Sequence, residues 1–293
     1  MHAAKSVIWP YDTTIYPAQY EIKLLPLPSG FDGSSAEEIN DLGQVAGYLV
    51  GIPSRTFASL WTTNEGLSAV VVPDPPGAIH SVLTSINNGG TSAMYYGTGS
   101  QTLVARWSVG LGREDLPTSS YLPYSSGYPA SINDNGVVSG RISDSSYEAV
   151  FWSGSSAYRI GPYLPGSISS EARAMSNAGL LVGVRGDSHG GFWFDGLSLT
   201  EFQNPEGGWS YPYAVNEQGI AVGHTNNRAF KISRQENVVQ RYAEIPPITT
   251  DAYAFSIDEW ERIVGKKTMS GNDEAFLFEG PVTGLLRQRV ASG

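Results

Sequence analysis

Six segments of the chain repeat one another: AEEINDLGQVAG from Ala36, LTSINNGGTSAM from Leu83, PASINDNGVVSG from Pro129, ARAMSNAGLLVG from Ala172, PYAVNEQGIAVG from Pro212 and AFSIDEWERIVG from Ala254. Aligned at Ile39, Ile86, Ile132, Met175, Val215 and Ile257, they recur after 47, 46, 43, 40 and 42 residues. A period of this length constrains the fold more than any single motif, because each repeat is one unit that cannot bury its apolar faces alone. In YPASINDNGVVSGR, residues Asn133 to Gly136 separate two short apolar alternations. That is a hairpin signal, since Asn and Gly accept the positive φ of tight turns. The alternative, a calcium loop, needs oxygen ligands at fixed offsets, and the Glu217 and Asp258-Glu259 copies do not keep them.

A second element follows each hairpin: FASLW ending at Trp61, LVARW at Trp107, EAVFW at Trp152, GGFWF around Trp193, NRAFKI around Phe230 and EAFLF around Phe276. With a weaker fourth segment such as SAVVVPD or TGLLRQRV, each unit reads as four short strands. The expectation is an all-β, six-bladed β-propeller forming a single domain over residues 1–293. Its strand-three tryptophans belong to the packing between blades. The second copy is degenerate, with Met94 where the others end in Gly. Residues 1–30 are expected to close the ring, with Tyr20–Leu25 as the outer strand beside Ala275–Phe278. Thr283–Val290 is the alternative strand.

The pattern A-x-x-I-N-D-x-G-x-V-x-G, then A-F-L-W, with the Y-x-I-x-x-L-P lead-in from Tyr20 to Pro26, resembles the HAF-type repeats of bacterial extracellular proteins. The resemblance covers nearly the whole chain through scaffold positions. It implies a propeller and an extracellular setting, and nothing about catalysis. The N-terminus MHAAKSVIWPYDTT lacks the apolar stretch of a secretory signal, so either the protein is cytoplasmic or a leader has been removed.

Charge and composition remove several classes of function. The net charge is −10, and the densest basic run is Lys266-Lys267, so nucleic acid and anionic membranes are not expected partners. No apolar run is long enough for a membrane helix. With no cysteine, thiolate catalysis and cysteine-ligated metals are excluded. Four histidines, His2, His80, His189 and His224, leave little room for a three-histidine metal site, and no metal or cofactor is expected. GDSHG, residues 186–190, matches G-x-S-x-G with Ser188 in the nucleophile place, but no helical pattern follows to build the required elbow.

The segments that vary while the scaffold repeats are rich in Tyr, Trp, Ser, Gly and Asn, a composition suited to recognition. The densest group falls in units four to six: Arg173, Asp187, His189, Trp209, Tyr211, Tyr213, His224 and Tyr253, with Glu171 and Arg185 beside them. The sequence therefore points to a module binding a glycan or another polar small molecule through variable loops at one face. A hydrolase, lyase or cyclase is the alternative, pairing Glu37, Glu38 or Glu171 with His189 or His224 as acid and base. A protein-interaction scaffold is the third reading. Trp9, Trp209 and Trp260 stand outside the strand-three register, and Trp260 is expected to cover the ring closure.

Overall fold

The computed structural model describes residues 24–63, 68–118, 126–143, 146–164, 169–186, 190–202, 209–234, 241–244, 251–269, 272–279 and 287–290. The fold is a six-bladed β-propeller, each blade a four-stranded antiparallel meander made from one continuous segment. Blade 1 comprises β1 (Phe31–Ile39), β2 (Gln44–Gly51), β3 (Arg55–Thr62) and β4 (Ser68–Val71). Blade 2 comprises β5 (His80–Ile86), β6 (Ser92–Gly97), β7 (Thr102–Ser108) and β8 (Gly112–Leu116). Blade 3 runs through β9 (Ser126–Ile132), β10 (Val138–Ser143), β11 (Tyr147–Ser153) and β12 (Ser156–Arg159). Blade 4 has β13 (Ser170–Met175), β14 (Leu181–Arg185), β15 (Gly191–Phe194) and β16 (Leu199–Phe202). Blade 5 has β17 (Ser210–Val215), β18 (Ile220–Thr225), β19 (Arg228–Ser233) and β20 (Arg241–Glu244). Blade 6 has β21 (Ala252–Ile257), β22 (Ile263–Met269), β23 (Asn272–Glu279) and β24 (Arg287–Val290).

One expectation is corrected. The outer neighbour of β23 is β24, with Phe276 opposite Val290, so the alternative C-terminal segment fills the place assigned to Tyr20–Leu25. The connection from β23 to β24 is short, and local pairing costs far less loop entropy than joining distant parts of the chain. Residues 20–23 lie outside the described residues, and Leu25 packs against Val45, Leu49 and Trp61 of blade 1.

The chain divides into two compact units, residues 1–115 and 116–293. In the first, Ala58 and Leu60 pack with Leu83, Met94 and Trp107, so Met94 is a core residue. In the second, each blade seals against the next. Ala149 and Ile160 meet Ala172, Phe192 and Phe194. Trp193 and Phe202 meet Ala221 and Phe230, and Val222 and Ala229 meet Ala252, Ala254 and Phe276. The strand-three tryptophans are buried as expected: Trp61, Trp107, Trp152 and Trp193 are 0–6% exposed. Trp61 and Trp152 also donate Nε1–H to the carbonyls of Pro26 and Pro117, at 3.0 and 2.9 Å.

The repeated Asx turns shape hairpins, and they also join blades. Asn133 Oδ1 accepts the amides of Asn135 and Val137 within its own turn, at 3.1 and 2.9 Å. Its Nδ2 donates to Ser176 O in the next blade's turn, at 3.1 Å. Asn40 reaches Asn87 O, and Asn216 reaches Asp258 O, in the same way. Gly136 takes φ 74°, the left-handed value that the turn requires.

Two stability outcomes follow. Trp152→Ala is expected to cost about 3–5 kcal/mol, the range for deleting a buried aromatic side chain, whereas Trp209→Ala is expected to cost less than about 1 kcal/mol, as for an exposed residue. Denaturant midpoints of the two variants check this. Asn133→Ala strips acceptors from two amides and is expected to cost about 1–3 kcal/mol, read from the same titration.

Candidate functional site

Every first strand carries a β-bulge at the same place. The residue skipped in the register is Glu37, Thr84, Ala130, Arg173, Tyr213 or Phe255 in blades 1 to 6. A bulge leaves its extra residue unpaired and re-aims the side chain. It also drives a carbonyl toward the second strand. A Cβ on Gly223 would collide with Tyr211 O, and the same holds for Gly183 with Glu171 O and Gly265 with Tyr253 O. In five of the six blades the last glycine of the repeat motif makes room for this carbonyl; in blade 2 Met94 stands opposite the bulge instead.

The residue after that glycine varies freely: Arg141, Val184, His224 and Lys266 in blades 3 to 6. In the second unit these second-strand residues and their first-strand partners form one half-buried belt. Tyr211 lies opposite His224, Tyr253 opposite Lys266 and Tyr128 opposite Arg141. Trp209 stacks on Tyr211 with centroids 5.8 Å apart and planes 7° apart. The His224 imidazole stacks on Tyr211 at 5.0 Å and on Tyr213 at 5.4 Å, and tilts against Tyr253 at 4.5 Å. Phe255 continues the array beside Tyr213 and Tyr253.

Cations border these rings. The Arg173 guanidinium lies 5.9 Å from the Tyr211 centroid and 5.8 Å from that of Tyr213. Lys266 Nζ lies 5.3 Å from the Tyr253 ring. Arg141 sits 5.1 Å from Tyr128 and 4.4 Å from Tyr147. Glu171 bridges both arginines, at 2.8 Å to Arg141 and 3.1 Å to Arg173. Burial pushes the Tyr213 phenol pKa up. Burial, and secondarily the positive charge of Arg173, lowers the His224 pKa to about 4. The imidazole is thus uncharged at neutral pH.

Of the residues expected at the site, Arg173, Trp209, Tyr211, Tyr213, His224 and Tyr253 come together. Glu171 joins them through its arginines, whereas Arg185 pairs with Glu201 instead. Asp187 and His189 lie outside the described residues, as does Ser188. The described strands on either side of GDSHG, β14 and β15, pair antiparallel, so a strand follows it where an elbow would need a helix. The expected setting is corrected: of those described, all but Trp209 sit on first and second strands rather than in loops, because these strands run further into the variable segments than the Gly and Pro punctuation suggests. Arg141, Lys266, Phe255, Tyr128 and Tyr147 were missed. For Arg141 and Lys266 a signal existed, the variable position after the glycine that closes five of the six copies.

The other carboxylates serve the scaffold. Glu38 accepts from Ser85 Oγ and from Ile86 N at 2.8 Å, tying blade 1 to blade 2, and Glu37 holds Ser35 Oγ. Trp260 is 75% exposed under the Arg262 guanidinium rather than covering a seam. Among the described residues, no cluster of three or more His, Cys, Asp or Glu could hold a metal.

No protein-family model and no curated protein matches the chain. Solved structures do, at low identity. A virginiamycin B lyase from Staphylococcus aureus aligns with TM-score 0.53 and 13% identity, over 88% of this chain and 84% of its own. YCF48 from Cyanidioschyzon merolae aligns at 0.54 and 9%, over 91% and 87%. The β-propeller domain of the Trilobed protease from Pyrococcus furiosus aligns at 0.51 and 11%, over 87% and 80%. The similarity establishes the fold, and one fold hosting such different proteins leaves function to the site.

The buried, neutral His224 makes stability depend on pH. Its folded pKa, about 4, lies below the ordinary 6.5, so between those values the unfolded chain takes up a proton that the folded one refuses. Wild-type stability therefore falls as pH drops through that window, and His224→Gln removes that part of the loss. Urea unfolding at pH 7 and pH 5 should show a wild-type-minus-variant difference that becomes less favourable on acidification; a constant difference contradicts the assignment.

Proposed function

We propose that this propeller is a ligand-recognition module that binds a glycan or another polar small molecule on the aromatic belt of blades 4 to 6. The observation that carries the proposal is the run of stacked, partly exposed rings from Trp209 through Tyr211, His224 and Tyr213 to Tyr253. The strand-three tryptophans serve the core, whereas these rings gather on one surface beside hydrogen-bonding cations. Sugars present C–H patches to ring faces and hydroxyls to polar groups, and both kinds of partner are present here.

The enzyme reading gains no support from the same geometry. Glu171 is engaged by two guanidinium groups, and His224 titrates far from neutrality, so neither is poised for proton transfer at pH 7.

A glycan array with follow-up calorimetry tests the reading. Trp209→Ala and Tyr211→Ala are each expected to weaken the best array ligand by roughly tenfold or more, as for loss of an aromatic contact at a binding hot spot, with the melting temperature of Trp209→Ala nearly unchanged. Unaltered affinity in both variants would place binding elsewhere.

A further inference from the structure

We infer that the ligand taken by this belt carries a carboxylate, and that the site is selective for acidic, uronate-bearing glycans over neutral ones. The inference rests on the recognition reading above and adds its charge. The whole chain has a net charge of −10, yet among the described residues the belt reverses that sign. Two guanidinium groups, Arg141 and Arg173, there share one carboxylate, that of Glu171. With Lys266 Nζ beside the Tyr253 ring, three cations stand against this one carboxylate among the described residues, more positive charge than Glu171 offsets.

The field of these cations is felt within the site. Burial first, and Arg173 after it, lowers the His224 pKa; on the Tyr213 phenol, whose pKa burial raises overall, Arg173 and Lys266 act in the opposite direction. Two arginines already hold one carboxylate here, each through one terminal nitrogen to the same Glu171 oxygen. The rings flank those arginines at under 6 Å from their centroids. A pyranose stacked on Tyr211 or Tyr213 therefore places its ring substituents within reach of the Arg173 guanidinium. A carboxylate at that place makes a charge-assisted hydrogen bond, roughly twice as strong as one between neutral groups.

The probes are a galacturonate hexamer and its fully methyl-esterified counterpart, which keep the same sugar rings and differ in charge. Calorimetry on wild type is expected to show the free acid binding roughly tenfold or more tightly than the ester, the scale of one charge-assisted contact, and binding of the acid is expected to weaken as salt is added. Arg173→Gln should erase the preference, weakening binding of the acid far more than binding of the ester. Glu171→Gln should tighten the acid, because the internal competitor for both arginines is gone; a merely structural role for Glu171 predicts weaker binding, and melting curves report folding separately. Equal binding of acid and ester overturns the charge inference and leaves the recognition reading standing. Binding of neither hexamer, with both variants folded, overturns the inference; if the array also yields no ligand, it overturns the recognition reading as well.

Discussion

The bulge in each first strand, faced by a glycine in all blades but the second, is the constraint on which both scaffold and site depend. An extra residue in the first strand presses the carbonyl of Glu171, Tyr211 or Tyr253 into the space that a second-strand Cβ would occupy. Only a residue without Cβ fits there, so the motif closes on Gly183, Gly223 and Gly265. The same distortion re-aims Arg173, Tyr213 and Phe255. A feature that reads in the sequence as scaffold punctuation is therefore also what presents the variable side chains. The positions beside it can diverge because the backbone geometry is carried by the glycine and not by them.

The turn carboxamides perform the second shared task. Asn133 spends its oxygen on two amides of its own turn and its nitrogen on the next blade. A buried carboxamide with both ends satisfied stabilises the turn and fixes the neighbour's position at once. This fixed spacing brings the first strands of blades 4, 5 and 6 side by side, close enough for Arg173 to reach Tyr213 and for His224 to reach Tyr253. Glu217 extends the same logic by accepting the amide of Ala178 in blade 4's turn, at 2.9 Å.

The fold was legible in the sequence because its cause is periodic. Turn glycines, the aromatic third strand and the closing glycine recur at almost constant offsets, and repetition turns six weak signals into one strong signal. The site was legible only in part. Tyr211, Tyr213 and Tyr253 stood out because they cluster between repeats, but their placement on strands was hidden by nearby Pro and Gly residues that also mark loops. Arg141 and Lys266 carried only a weak signal, for a different reason. Each is a single residue inside a scaffold strand, and its membership of the belt appears only when Tyr128 and Tyr253 are seen across the ladder. The outer strand of blade 6 was misread because closure by the N-terminal segment and a local hairpin share the same apolar pattern; the short connection to β24 decides between them.

A cationic belt on an acidic chain has a physical consequence for what it can bind. At physiological ionic strength charges are screened beyond about 8 Å, so the net charge of −10 acts weakly at distance and the nearest groups dominate at contact. The rings matter here for more than stacking. By covering Arg173 and His224 they remove water from one side of each, which lowers the local dielectric and strengthens any charge-assisted contact that forms there. The same desolvation that keeps His224 neutral leaves its imidazole as a flat, uncharged surface between two tyrosines, so the positive charge is concentrated at the guanidinium groups. On the recognition reading proposed above, selectivity comes from fixed charge placed at the edge of an aromatic platform, where a ligand with both a stackable face and an anionic substituent satisfies the surface most fully.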